Sequence, residues 1–120
     1  MKRILVADDS ETVSMLVSTA LANAGYSVTT VDNGMAAFSV GSEQDIDLAI
    51  IDQLMPGLLG MEVLEKWKSD GRDFPVIMLS SVNDETTIVD SLRMGAVDFV
   101  RKPFLVKELT ARVSLALQRR

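Results

Sequence analysis

Five short strand-like runs, each followed by a stretch of helical period, constrain this chain more than any other feature. The runs are Arg3–Ala7, Tyr26–Val31, Leu48–Ile51, Val76–Leu79 and Val97–Val100. Leu48-Ala49-Ile50-Ile51 is apolar throughout and half β-branched, which suits a strand buried on both faces of a parallel sheet. Pro56 and Gly57 break the chain soon afterwards. A lone carboxylate, Asp52, therefore stands where a central strand gives way to a loop.

The intervening segments carry helix signals. Ser10 is a good N-cap and Glu11 suits the positive end of a helix, along which Val13, Leu16, Val17, Ala20, Leu21 and Ala24 recur at helical spacing up to Gly25. Asp32-Asn33-Gly34 turns the chain into a short helix, Met35 to Val40, whose end Gly41 marks. Met61, Val63, Leu64 and Trp67 predict a helix closing near Asp70-Gly71. Asn83-Asp84 can cap a helix from about Glu85 to Met94, with Ile88, Val89 and Leu92 facing inward and Gly95 closing it. A last helix, roughly Val106 to Leu117, presents Leu109, Val113 and Ala116 on one face.

Strands alternating with helices of this length imply an α/β fold: a parallel sheet with its helices on both faces. Right-handed crossovers then place all five strand C-termini along one edge, where ligands bind in such sheets. The expectation is a flavodoxin-like sheet of five parallel strands in the order 2-1-3-4-5, with five helices, as one domain over residues 1–120.

Five polar groups stand on that edge. Strand one ends in Asp8-Asp9, strand three in Asp52, strand four in Ser80 and strand five in Lys102. In the order 2-1-3-4-5 these strands are neighbours and the side chains converge. Three acids in proximity repel one another unless a cation joins them. The chain has no histidine and no cysteine, which removes Ser-His-Asp catalysis, Cys nucleophiles and thiolate or imidazole metal sites. Oxygen ligands remain, and they favour magnesium, calcium or manganese. Magnesium keeps several waters and uses one or two carboxylates beside a phosphate oxygen. Lys102 is a point charge suited to phosphate, and the Ser80 hydroxyl can hydrogen-bond a further oxygen. An Asp nucleophile beside a metal and a Lys can form an aspartyl phosphate. Each residue also has an ordinary use as a helix-start acid, a turn hydroxyl or a solvated charge; their joint placement carries the argument.

Net charge is −5, with twelve basic against seventeen acidic residues, so direct nucleic-acid binding by this domain is not expected. No apolar run approaches a membrane span, and the expected compartment is the cytoplasm.

With these residues in view, the chain resembles the response regulator receiver domains of two-component signalling. The resemblance rests on Leu5-Val6-Ala7-Asp8-Asp9, Asp52-Gln53-Leu54-Met55-Pro56 with Gly60, Ser80, Gly95-Ala96 and Lys102-Pro103-Phe104. It implies that Asp52 accepts a phosphoryl group from a phosphohistidine on a partner histidine kinase or phosphotransfer protein. It implies Mg2+ held by Asp9, Asp52 and the backbone carbonyl of Leu54, with Asp8 acting through water, and Ser80 and Lys102 on the phosphoryl oxygens. Phe99 matches the aromatic that turns inward when the Ser80 position moves.

By the same resemblance the chain is a signalling switch rather than an enzyme, catalysing its own phosphotransfer and dephosphorylation. Its fourth helix, fifth strand and fifth helix would form the output face towards an output domain or docking partner. Asp98, Glu108 and Arg112 look like residues of the dimerising subset, which pair across a two-fold axis in a homodimer.

Two departures stand out. Leu54 and Val82 are apolar where many receivers carry polar groups that handle the attacking water, which predicts a long-lived phosphoryl state. Leu58-Leu59 precedes Gly60 where a polar cap is common; local packing is the expected reading, a partner contact the other. Three competing functions have weaker support. A flavin or nucleotide binder needs a Gly- or Ser/Thr-rich loop where Asp8-Asp9 stands. A haloacid-dehalogenase-like phosphatase usually has an acid where Leu54 stands. A degenerate receiver would lack part of a phosphorylation set that is complete here.

Overall fold

The computed structural model describes residues 1–81 and 84–118. Ten elements alternate strictly: β1 (Arg3–Ala7), α1 (Glu11–Asn23), β2 (Ser27–Val31), α2 (Gly34–Glu43), β3 (Leu48–Ile51), α3 (Gly60–Ser69), β4 (Val76–Ser80), α4 (Glu85–Arg93), β5 (Asp98–Arg101) and α5 (Val106–Gln118). The five strands are all parallel in the order β2-β1-β3-β4-β5, as the strand–helix rhythm predicts.

Period-2 alternation within β1, β3 and β4, whose residues are nearly all apolar, builds two cores. Leu5, Ala7, Ala49, Ile51, Val76 and Met78 pack with Ala37 of α2 and with Val63, Leu64 and Trp67 of α3. Ile4, Val6, Leu48, Ile50, Ile77 and Leu79 point the other way, onto Val17 and Leu21 of α1 and Leu109, Val113 and Ala116 of α5. The expected inward face of the last helix is thus the observed one.

Register levels the functional edge. Ala7 pairs with Ile51 and Ile51 with Met78, so Asp8 and Asp52 leave their strands side by side. β4 continues to Ser80, level with Arg101, and the Lys102 amide donates to the Ser80 carbonyl at 2.9 Å.

Three expectations need correction. α2 does not stop at Gly41: it runs to Glu43, and Gly41 is buried inside it because the Trp67 indole lies directly on its Cα. Trp67 Nε1 also donates to the Phe38 carbonyl at 3.2 Å, so the absent side chain is what lets α2 and α3 meet. Val89 and Leu92 of α4 do not face inward; they are 38% and 45% exposed. α4 sits over the edge strand β5, where its inward positions fall to Ile88, which is half-buried, and to Ser91, whose hydroxyl donates to the Thr87 carbonyl at 2.8 Å. Leu16, on the expected apolar face of α1, is likewise exposed. Helix caps follow the sequence: Ser10 accepts from Val13 N, Asn33 from Ala36 N and Asp84 from Thr86 N. Asn83 lies outside the described residues.

Candidate functional site

Where the apolar strands end, the chain places its polar residues together. Asp8 and Asp52 are 2% and 5% exposed, and Ser80 is fully buried. Asp9 is open to solvent. Carboxylate oxygens of Asp8, Asp9 and Asp52 all lie within 4.8 Å of one another, the one such cluster among the described residues. Lys102 enters from the end of β5, with a cis peptide to Pro103, and its ammonium bridges two of the acids. Nζ lies 2.8 Å from Asp8 Oδ2 and 3.2 Å from Asp52 Oδ2.

Other bonds fix the carboxylates. Asp8 Oδ1 accepts from the Ser10 amide at 2.8 Å, and the Ser10 side chain caps α1, so the start of that helix and the acid are set together. Asp52 Oδ1 accepts weakly from the Leu54 amide at 3.4 Å. Burial pushes the Asp52 carboxyl above its ordinary value; the Lys102 ammonium opposes that push and the Asp8 charge adds to it. Burial alone would lower Lys102. Its hydrogen bond to Asp8 and the charges of both acids outweigh this and hold the ammonium above the usual lysine range.

The arrangement offers a nucleophilic carboxylate, an oxygen-only cation pocket with one acid facing water, and a neighbouring ammonium. Such a set can hold a divalent cation of the magnesium type and stabilise negative charge arriving at Asp52.

The structure brings Asp8, Asp9, Asp52, Ser80 and Lys102 to one edge, as expected from their strand ends. Leu54 is 53% exposed on the loop beside Asp52. Val82 lies outside the described residues. Phe99 is half-buried, packed on the Trp67-side core in register with Met78. Asp98, Glu108 and Arg112 lie apart from the acids: Arg112 bridges Asp98 at 2.8 Å and Glu108 at 3.1 Å within the chain. Both bonds hold the Arg112 guanidinium above its usual range, the Asp98 contact most. Leu58 packs on the core and against Gly34, where a Cβ would collide with it, so local packing accounts for Leu58. Leu59 is 41% exposed.

Gln53 is absent from the candidates read from sequence, yet it is 7% exposed, with its amide oxygen accepting from the Met61 amide at 2.8 Å. The available signal was a polar residue beside Asp52 combined with an apolar one at the cap position of α3.

Comparison with known proteins agrees with this geometry. A family model described as the response regulator receiver domain matches residues 4–114. The chain is 36% identical over 118 residues to the alkaline phosphatase synthesis transcriptional regulatory protein PhoP of Bacillus subtilis, covering 98% of this chain and 49% of that protein. It is 34% identical over 120 residues to the phosphate regulon transcriptional regulatory protein PhoB of Pseudomonas aeruginosa, covering 98% and 52%. The chain thus spans about half the length of these curated relatives. Among solved structures, a Francisella response regulator 1452 receiver domain superposes with a TM-score of 0.94 at 28% identity, covering 99% of this chain and 98% of that one. A CheY-like receiver domain protein from Methanospirillum hungatei gives 0.94 at 25%, covering 99% and 95%.

Proposed function

Since the chain belongs to the response regulator receiver domain family, we propose that it is a phosphoacceptor switch in which Asp52 takes a phosphoryl group from a partner histidine kinase or phosphotransfer protein. The observation that carries this reading is the Lys102 ammonium bridging Asp8 and Asp52, with Asp9 beside them at the mouth of the site.

An Asp52 oxygen attacks phosphorus in line with the histidine nitrogen. The O–P bond forms as the N–P bond breaks, and the nitrogen leaves with the electron pair. The all-oxygen donor set and the exposure of Asp9 fit Mg2+, which retains several of its waters. Asp9, Asp52 and the Leu54 carbonyl would hold it, with Asp8 acting through water. Bound there, Mg2+ supplies positive charge against the phosphoryl oxygens. Lys102 exchanges its contact with Asp52 for a phosphoryl oxygen, and Ser80 donates to another. Phe99 follows Ser80 inwards, changing the α4–β5–α5 face. Hydrolysis, by attack of water on phosphorus, resets the switch; the exposed apolar side chain of Leu54 slows it.

The changed face acts on an output domain or docking partner, or on a second copy of the chain. In such a homodimer Asp98, Glu108 and Arg112 would exchange their present partners for ones across a two-fold axis. Residues 1–120 act as one receiver unit, with the cytoplasm as its compartment. Among the described residues no helix is long and apolar enough to cross a membrane.

The test is mass spectrometry after incubation with acetyl phosphate and Mg2+. Wild type is expected to gain one phosphoryl group and Asp52→Ala none. An unlabelled wild type, or equal labelling of both, overturns the reading.

A further inference from the structure

The N-terminus of α3 lacks the cap its sequence position calls for. Leu59, the N-cap residue, has no side-chain oxygen with which to accept a backbone amide. Three of the amides at this end are nevertheless served. Leu59 N donates to Glu62 Oε1 at 2.9 Å, which is local. The next two reach back across the loop to a single residue. Gly60 N donates to the Gln53 carbonyl at 2.9 Å and Met61 N to Gln53 Oε1 at 2.8 Å. The donor at Met61 requires the oxygen of the Gln53 amide to face it, so the orientation of that side chain is determined.

We infer that Gln53 is a surrogate N-cap for α3 and, through that role, a positioning residue for the cation-binding side of Asp52. The inference rests on the phosphoacceptor reading of Asp52 and the Leu54 carbonyl. Gln53 lies between these two residues in sequence, and its side chain is buried. Its two bonds close the loop from 53 to 60 at its base. Met55 is buried in the core beneath that loop, and Pro56 accepts from Gly34 N at 2.9 Å at its far side. Gly60 completes the closure: its Cα packs on the Asp52 carbonyl so closely that a Cβ would meet that oxygen and come within 2.9 Å of Met78 Cε.

A cap supplied by Asp, Ser or Asn at position 59 would stabilise α3 without touching Asp52. A cap supplied by Gln53 links the first turn of α3 to the peptide groups on either side of Gln53. The path of the main chain through Leu54 then depends on a hydrogen bond that a cap at 59 would leave to chance. Loss of outer residues that orient ligands commonly weakens metal affinity by about 10–100-fold.

Three variants separate the two roles: Gln53→Met, which removes the acceptor at similar length; Leu59→Asp, which supplies a local cap; and the pair together. Two quantities are read on each. One is the urea midpoint, followed by fluorescence of Trp67, the single tryptophan. The other is the Mg2+ dissociation constant from calorimetry. Gln53→Met is expected to lower the midpoint and to weaken Mg2+ binding about tenfold. Adding Leu59→Asp is expected to restore the midpoint while Mg2+ affinity stays weak.

Recovery of both quantities in the double variant would overturn the positioning role and leave a cap alone. An unchanged midpoint in Gln53→Met would overturn the surrogate cap. Unchanged Mg2+ affinity in Gln53→Met, where wild type binds Mg2+ and takes label from acetyl phosphate, would overturn only the positioning role. A wild type that neither binds Mg2+ nor labels would refute the phosphoacceptor reading and take the positioning role with it.

Discussion

Lys102→Met isolates the cost of keeping two acids at the end of a sheet. In the native protein the ammonium is 2.8 Å from Asp8 and 3.2 Å from Asp52, whose side chains are 1% and 6% exposed. Methionine keeps most of the length and removes the charge. Deleting one partner of a buried ion pair costs about 3–5 kcal/mol. The Lys102 side chain is 17% exposed and the edge is open to water, so the lower end applies, about 3 kcal/mol at pH 8. With a urea slope of about 2 kcal/mol/M, the midpoint falls by roughly 1.5 M.

The pH dependence fixes the cause. The Asp52 carboxyl already lies above its ordinary value through burial and moves further up once the ammonium is gone. An acid whose folded value is raised destabilises the fold fully above that value and ceases to do so below the ordinary carboxylate value of about 4. The gap between variant and wild type therefore narrows as pH falls from 8 towards 4. It narrows again at high pH, because the contribution of a raised lysine is complete below about 10.4 and is lost as pH rises through its folded value. Mg2+ should bind the variant more tightly than wild type, since an ammonium no longer neutralises the Asp8 and Asp52 carboxylates. At a hundred times its dissociation constant it would return about 2.7 kcal/mol. Urea titrations across pH, with and without Mg2+, read all of this from Trp67 fluorescence. A stability loss that does not vary with pH, or one below about 0.5 kcal/mol, would refute the reasoning.

Asp52→Asn, by the same logic, raises the urea midpoint at pH 8 in metal-free buffer, and the gain shrinks towards pH 4; a lowered midpoint at pH 8 counts against it. Gly41→Ala forces a methyl into the Trp67 ring, 2.6 Å from Nε1, and should cost about 1–3 kcal/mol despite alanine's better helix propensity. Its marker is a shifted Trp67 emission maximum in the folded protein. Phe99→Ala removes a half-buried ring and should cost about 2 kcal/mol, leave acetyl phosphate labelling intact and weaken phosphorylation-dependent dimerisation or partner binding; equal responses in variant and wild type would retire the switch role. Leu54→Asn, alone and with Val82→Asn, should speed loss of label from Asp52, and an unchanged decay in the double variant would dispose of the apolar-rim argument.

The sheet and its edge were legible because period and punctuation repeat five times. Continuous apolar runs such as Leu48–Ile51 suit burial on both faces, their alternation with helices makes the sheet parallel, and handed crossovers then send Asp8, Asp52, Ser80 and Lys102 to one side. What escaped reading depends on contacts distant in sequence. Gly41 looks like a helix terminator until the Trp67 indole, twenty-six residues later, is seen to need its missing side chain. Val89 and Leu92 have the spacing of an inward stripe, but α4 sits over the edge strand β5, and no local pattern reveals how much of its surface stays exposed there. Gln53 and Leu59 are each odd alone; their relation becomes visible only when the loop closes and one supplies the acceptor that the other lacks.

The shallow seating of α4 gives the proposed signal its route. Helices on the interior strands are held by large side chains at zero or near-zero exposure, Leu64 and Trp67 in α3, Leu109 and Val113 in α5. Displacing either would open cavities costing several kcal/mol, on the order of a domain's whole stability. α4 contributes one fully buried residue, Ser91, and leaves Val89 and Leu92 partly exposed. On the proposed reading, a rearrangement at Ser80, at the end of the strand beside β5, would shift α4 without opening a cavity around a large buried side chain of that helix. The face best placed to change is also the one that carries exposed apolar groups and the Asp98–Arg112–Glu108 charges. A partner that reads the phosphorylated state needs that combination: a surface that can move, with contacts worth making once it has.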